Sequence, residues 1–147
     1  MPSLRNKEIR NSLVQRLQQL TPDTKPRWGK LDARRMLCHL YDALDMAVGT
    51  LSVPSLNYRA FHRFPIKHLA LYVLPFPKGV QTPDELLSSL PNNFDSDRQR
   101  VVESMARLAA VSDANGPEHP LFGPLTFEEW NLLQAKHIAH HLKQFGL

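Results

Sequence analysis

The sequence predicts an all-α fold, a four-helix bundle with one long, partly helical crossover. Three observations carry that prediction. Four stretches repeat apolar residues at helical spacing, capping residues bracket most of them, and the interval between the second and third holds six prolines, Pro54, Pro65, Pro75, Pro77, Pro83 and Pro91. Proline removes a backbone donor and clashes with the preceding turn, so no single long helix can cross that interval.

The first helix is expected over residues 3–20, with Ile9, Leu13, Leu17 and Leu20 on one face and Ser3 as its cap. TPDTKPRWG, with two prolines and a glycine, is a loop. A second helix runs from an Asp32 cap to Val48 and stops at Gly49, with Met36, Leu40, Ala43, Leu44 and Ala47 as its stripe. His39 falls at the edge of that stripe beside Met46, so it faces the bundle seam, and Asp42 follows one turn on. Within the crossover, Ile66 to Leu74 fits a short helix between two prolines. Ser96 with Gln99 forms a capping box for a third long helix reaching about Val111. SDANGPEHP ends it as a loop, and a second capping box, Thr126 with Glu129, opens a last helix that runs to Phe145 before Gly146.

A length of 147 residues suits a single domain, 1–147, with one full core. The composition, 42% hydrophobic and 22% charged, is that of an ordinary globular chain, and the longest apolar run, around Leu69 to Leu74, is too short to cross a bilayer. MPSLRNKEIRNSLVQRL lacks the apolar centre of a signal peptide, and the single Cys38 has no internal partner, so a cytoplasmic protein without membrane association is expected. The net charge of +4 comes from basic residues scattered among carboxylates and does not form a nucleic-acid-binding face. The expected partner is a small-molecule substrate, and an apolar outer face of the bundle could pair two copies as a homodimer.

The chemistry lies in the histidines. Residues four apart on a helix stand one above the other, so His137 and His141 of KHIAHH can reach one ion, and His39 from another helix would complete the set. With His137 at 0° and about 100° per residue, His141 falls near 40°, inside the sector of Trp130, Leu133 and Ile138, whereas His140 lies near −60° on the polar margin. The pair is therefore His137 with His141, although His140 could chelate at i, i+3 spacing. Single histidines near an apolar face are usually core side chains. Two stacked in an apolar sector differ, because each ring nitrogen buried without a partner costs roughly 1–3 kcal/mol. Three neutral imidazoles leave a divalent ion charged and with an open position, the arrangement of a catalytic site. Zinc, nickel, iron and manganese all suit such ligands. Asp42 is a candidate to orient a ligand ring, Trp130 is read as core and Cys38 as structural. Tyr58, His62, His68, His119 and the PFPKG loop belong to segments that could roof the open end.

MLCHLYDALDMAVG (Met36 to Gly49) and HPLFGPLTFEEWNLLQAKHIAHHLKQFG (His119 to Gly146) resemble the DinB/YfiT-like superfamily of metalloenzymes, in particular a branch known as a domain of unknown function. RWGKLDARRM and LPFPKG resemble the same branch, so the likeness covers most of the chain. It implies a four-helix bundle whose divalent metal is held by one histidine of the second helix and a His-x-x-x-His pair of the last. Carried over residue by residue, the ligands are His39, His137 and His141. It also implies a low-molecular-weight thiol such as mycothiol, bacillithiol or glutathione as co-substrate in transfer or isomerisation, although no thiol-binding motif is legible in this chain. The function expected is that of a metal-dependent, thiol-assisted transferase, isomerase or hydrolase. The alternative is a non-catalytic metal-binding or stress-associated protein of the same fold.

Overall fold

The structure, a computed structural model, describes residues 2–79 and 82–147. It is mostly helical: α1 (Lys7–Gln18), α2 (Ala33–Val48), α3 (Ile66–His68), α4 (Phe94–Ala109) and α5 (Phe127–Gln144), with a two-stranded antiparallel sheet of β1 (Asn115–His119) and β2 (Gly123–Thr126). The small sheet corrects the all-α expectation.

Helix α1 is capped by Asn6, whose side chain accepts from the backbone of Glu8 and Ile9 at 2.8 and 3.2 Å. Ser3, the expected cap, instead accepts from Arg5 outside the helix. Leu13 and Leu17 turn inward, and Leu4 N donates to Asn131 O, which ties the chain's start to α5. Helix α2 begins and ends where expected. Asp32 Oδ1 accepts from Arg35 N at 2.8 Å, and Gly49 takes a φ of 86°, a left-handed turn that glycine adopts without a Cβ clash. Most of α2 is buried, His39 and Asp42 included. It packs between α4 and α5 and also meets β1, while α1 packs against α4 and α5. The centre of the core is apolar and closed, with Leu17, Met36, Leu40, Leu44, Met105, Leu108 and Ile138 fully enclosed.

The crossover between α2 and α4 is partly helical, as its prolines dictate. It contains 3₁₀ turns at Arg59–His62 and Asp84–Leu87 and the short α3, which continues through a π-helical turn at Leu69–Val73. Helix α4 starts at an Asn93 cap that accepts from Ser96 N at 3.0 Å, three residues before the Ser96 cap read from the sequence. The segment read as a loop after α4 pairs as β1 with β2, with His119 opposite Gly123 and an irregularity between Asn115 and Glu118. Helix α5 carries the predicted capping box: Thr126 Oγ1 accepts from Glu129 N at 3.1 Å and Glu129 Oε2 accepts from Thr126 N at 2.9 Å. No helix of the described residues is long and apolar enough to cross a membrane.

Candidate metal centre

Helix α2 presents His39 from its buried middle, and α5 presents His137 and His141 one turn apart on the side that packs against α2. His39 Nε2 lies 3.0 Å and His141 Nε2 3.1 Å from His137 Nε2. The ligand nitrogens of all three lie within 4.8 Å of one another. The rings meet edge to face, at interplanar angles of 87°, 78° and 80°, so nitrogens rather than ring faces converge. With bonds of roughly 2.0–2.1 Å to a shared ion, each of the two pairs that include His137 Nε2 would subtend about 90–100° at it.

Hydrogen bonds on the far side of two rings fix their tautomers. His39 Nδ1 lies 3.0 Å from Leu86 O, a carbonyl that can only accept, so Nδ1 carries the proton and Nε2 is a bare lone pair. His141 Nδ1 lies 2.8 Å from Gln144 Oε1. Gln144 Nε2 donates to Trp28 O at 2.8 Å, which directs its oxygen toward the imidazole and makes His141 Nδ1 a donor too. Two lone pairs thus point at His137 Nε2, which when neutral has at most one proton to offer. The donor set fits a cation placed among the three nitrogens, and the partners of His39 and His141 are those that hold a metal-binding imidazole in orientation.

Protonation does not resolve the crowding. Burial lowers the pKa of His39 against the smaller raising effects of the Leu86 bond and Asp42. Burial, then the neighbouring histidines led by His141, hold His137 well below the usual imidazole range. His141 is pushed down to about 3, chiefly by burial. All three favour the neutral form that coordination requires.

His137, the most exposed of the three, opens onto a cavity of about 1060 Å³ that His39 and His141 also line. This volume is at the upper end for a small-molecule site. His140 lines it and meets the His141 ring edge-on at 5.3 Å but is not among the three histidines whose nitrogens converge; its ring is also edge-on to Trp28 and Phe76 at 5.9 and 5.8 Å. Trp130 is core, fully buried, with Nε1 donating to Pro117 O at 2.9 Å. Cys38 is buried, and burial followed by Asp97 and Asp42 pushes its thiol up, so it stays protonated. Asp42 makes no hydrogen bond to the three histidines; it accepts from Ser89 N at 3.1 Å and from Ser89 Oγ. Of the residues read as a roof, His119 and four residues of the PFPKG stretch, Pro75, Phe76, Pro77 and Gly79, line the cavity; Tyr58 is exposed, and the exposed His68 stacks on Tyr72.

Sequence reasoning missed the carbonyl of Leu86, the Gln144 amide and Gln134. Gln144 follows His141 by three residues on α5, a spacing that brings side chains together and could have been read. A backbone carbonyl has no residue-type signal. Gln134 Nε2 donates to Ala43 O, and its buried Oε1 has no partner among the described residues of this cavity wall.

Residues 5–146 match the model of a family described as a protein of unknown function, DUF1569. No curated protein and no solved structure matches the chain.

Proposed function

The chain belongs to the DUF1569 family, and we propose that it is a divalent-metal-dependent enzyme whose ion is held by His39, His137 and His141. The observation that carries this reading is the pair of tautomer-fixed lone pairs, on His39 and His141, aimed at His137 Nε2 beside a large cavity. A merely packed histidine cluster gains nothing from that arrangement, whereas a cation satisfies all three nitrogens. We further place the chain in the DinB/YfiT-like superfamily and read the packing of α1, α2, α4 and α5 as its four-helix bundle, with the crossover and hairpin as additions. The ligand positions, one on the second helix and two on the last, support that placement.

A divalent ion there would supply Lewis acidity, polarising an electrophile and acidifying a coordinated thiol or water. The chain's own residues do the rest. Leu86 O and Gln144 Oε1 orient two rings, and Phe76, Phe122 and Leu133 give the cavity an apolar wall. His119 offers a neutral donor, because its Nδ1 accepts from Leu121 N and Phe122 N at 3.0 and 3.2 Å, which leaves the proton on Nε2. The reaction classes we favour are thiol-assisted transfer or isomerisation and hydrolysis of a small molecule. The cavity argues against the non-catalytic alternative, for which a filled bundle end would suffice.

Metal analysis of protein purified without a nickel column is the direct test, followed by a screen for thiol-dependent transfer and for hydrolysis. We expect stoichiometric zinc, nickel, iron or manganese in the wild type and in His140→Ala. His141→Ala should lose tight binding, and with it any activity found. Equal metal content in all three proteins would overturn the ligand assignment.

A further inference from the structure

We infer that the cavity beside the three histidines takes an apolar organic anion, a molecule with a hydrocarbon or aromatic body and one carboxylate-like head. The inference rests on the charge of the lining. Lys30 and Arg35 are the charged side chains of the wall, and none of the chain's 14 carboxylates contributes to it among the described residues. Neither cation takes part in an ion pair among the described residues. Asp32 Oδ1 caps α2 and Asp42 holds Ser89, while Asp84 and Glu85, on the turn between the lining residues Pro83 and Leu86, do not themselves line the wall. Lys78 adds a third cation beside the wall, its Nζ 4.3 Å over the ring of Trp28. The histidines bring no negative charge, being neutral donors and lone pairs.

The remaining surface is apolar, with Phe61, Leu74, Phe76, Phe122 and Leu133 among its residues. Cations beside apolar walls sit in a lower effective dielectric than water, where an unpaired charge is costly and an opposite charge is drawn in strongly. A ligand with an anionic head satisfies Arg35, which is only half exposed, and its body covers the apolar wall. A cationic ligand of the same shape would meet like charge. The inference rests on the proposed metal only for additional positive charge, since three neutral imidazoles leave a divalent ion uncompensated.

Titration calorimetry with octanoate, octylamine and 1-octanol, which share one body and differ in the head, tests this in chelator and again in zinc. In chelator, octanoate should bind at least about tenfold more tightly than octylamine, with octanol between them. Zinc should tighten octanoate and leave octanol unchanged. In chelator, the double variant Lys30→Gln, Arg35→Gln should lose most of the preference for octanoate over octanol while keeping wild-type zinc affinity. Equal binding of octanoate and octylamine by the wild type would overturn the inference, as would undiminished octanoate binding by a double variant that still takes up zinc. Failure of the metal reading looks different: octanoate is preferred over octylamine, and zinc alters nothing.

Discussion

At His119 two backbone amides decide what a side chain can do. Leu121 N and Phe122 N both donate to Nδ1, so this ring can take a second proton only by losing both bonds. Burial adds to the effect and pushes its pKa down to about 3. In the unfolded chain the same imidazole titrates near 6.5. The sign follows: above about 6.5 both states are neutral and the full stability is present, and as pH falls toward about 3 the unfolded chain takes up a proton that the folded one refuses. Stability is lost across that window. In His119→Asn, whose side-chain oxygen still accepts from the two amides, the slope of unfolding free energy against pH should fall by about one proton, ~1.4 kcal/mol per pH unit, between roughly pH 4 and 6. Urea unfolding in chelator measures it, and identical slopes in the two proteins would show that His119 titrates alike folded and unfolded. The triad histidines are present in both, so their contribution cancels. Among single residues, the convergence of His39, His137 and His141 was legible because the i, i+4 pair falls in the apolar sector of the last helix and His39 at the seam edge of the second. The role of His119 was not, because it depends on the turn at Pro120–Phe122 and not on any spacing of polar residues.

Between elements, the key coupling joins α2 to the crossover. Asp42, one turn after His39, accepts both the amide and the hydroxyl of Ser89, just beyond the 3₁₀ turn that presents Leu86 O to His39 Nδ1. Asp42→Ala would leave both donors without a partner and release that turn. We expect zinc affinity to fall by about 10–100-fold although Asp42 makes no hydrogen bond to the three histidines, as when the support of a ligating imidazole is lost. Asp42→Asn, which keeps an acceptor oxygen, should lose less. Calorimetric zinc titration of the two variants decides the matter, and an Asp42→Ala protein that is less stable but binds zinc unchanged would show the turn to be merely structural. Element boundaries were legible where a cap acts alone: Asp32 and Gly49 for α2, Thr126 with Glu129 for α5. At α4 the sequence suggests Ser96 with Gln99, but Gln99 Nε2 donates to Glu103 and Asn93 takes the cap. The hairpin had no alternating pattern to read, since Gly116, Pro117 and Pro124 interrupt it. Tertiary packing fixes it instead, because a Cβ on Gly116 would stand 2.6 Å from Trp130 Cδ1, and Pro117 O accepts from the Trp130 indole.

For the molecule as a whole, the candidate site draws on α2 and α5, elements of the first and last thirds of the chain, with a crossover carbonyl oriented toward one of its histidines. An ion bound to all three imidazoles would therefore cross-link the two helices, and since the unfolded chain holds no preformed site, binding energy would appear as folding stability. Free zinc at a hundred times its dissociation constant should add about 2.7 kcal/mol. For a domain near 150 residues that corresponds to a rise in melting temperature of about 5–10 °C. His137 is the residue to remove, because its Nε2 is the nitrogen that both of the others approach. His137→Ala should melt at nearly the same temperature in chelator and in zinc. The two tryptophans report on the relevant regions, Trp28 through its carbonyl bond to Gln144 and Trp130 from the core face of α5. Fluorescence melts of single-tryptophan variants, Trp28→Phe and Trp130→Phe, should therefore shift together with zinc. A rise of equal size in His137→Ala would show that zinc acts elsewhere on the protein.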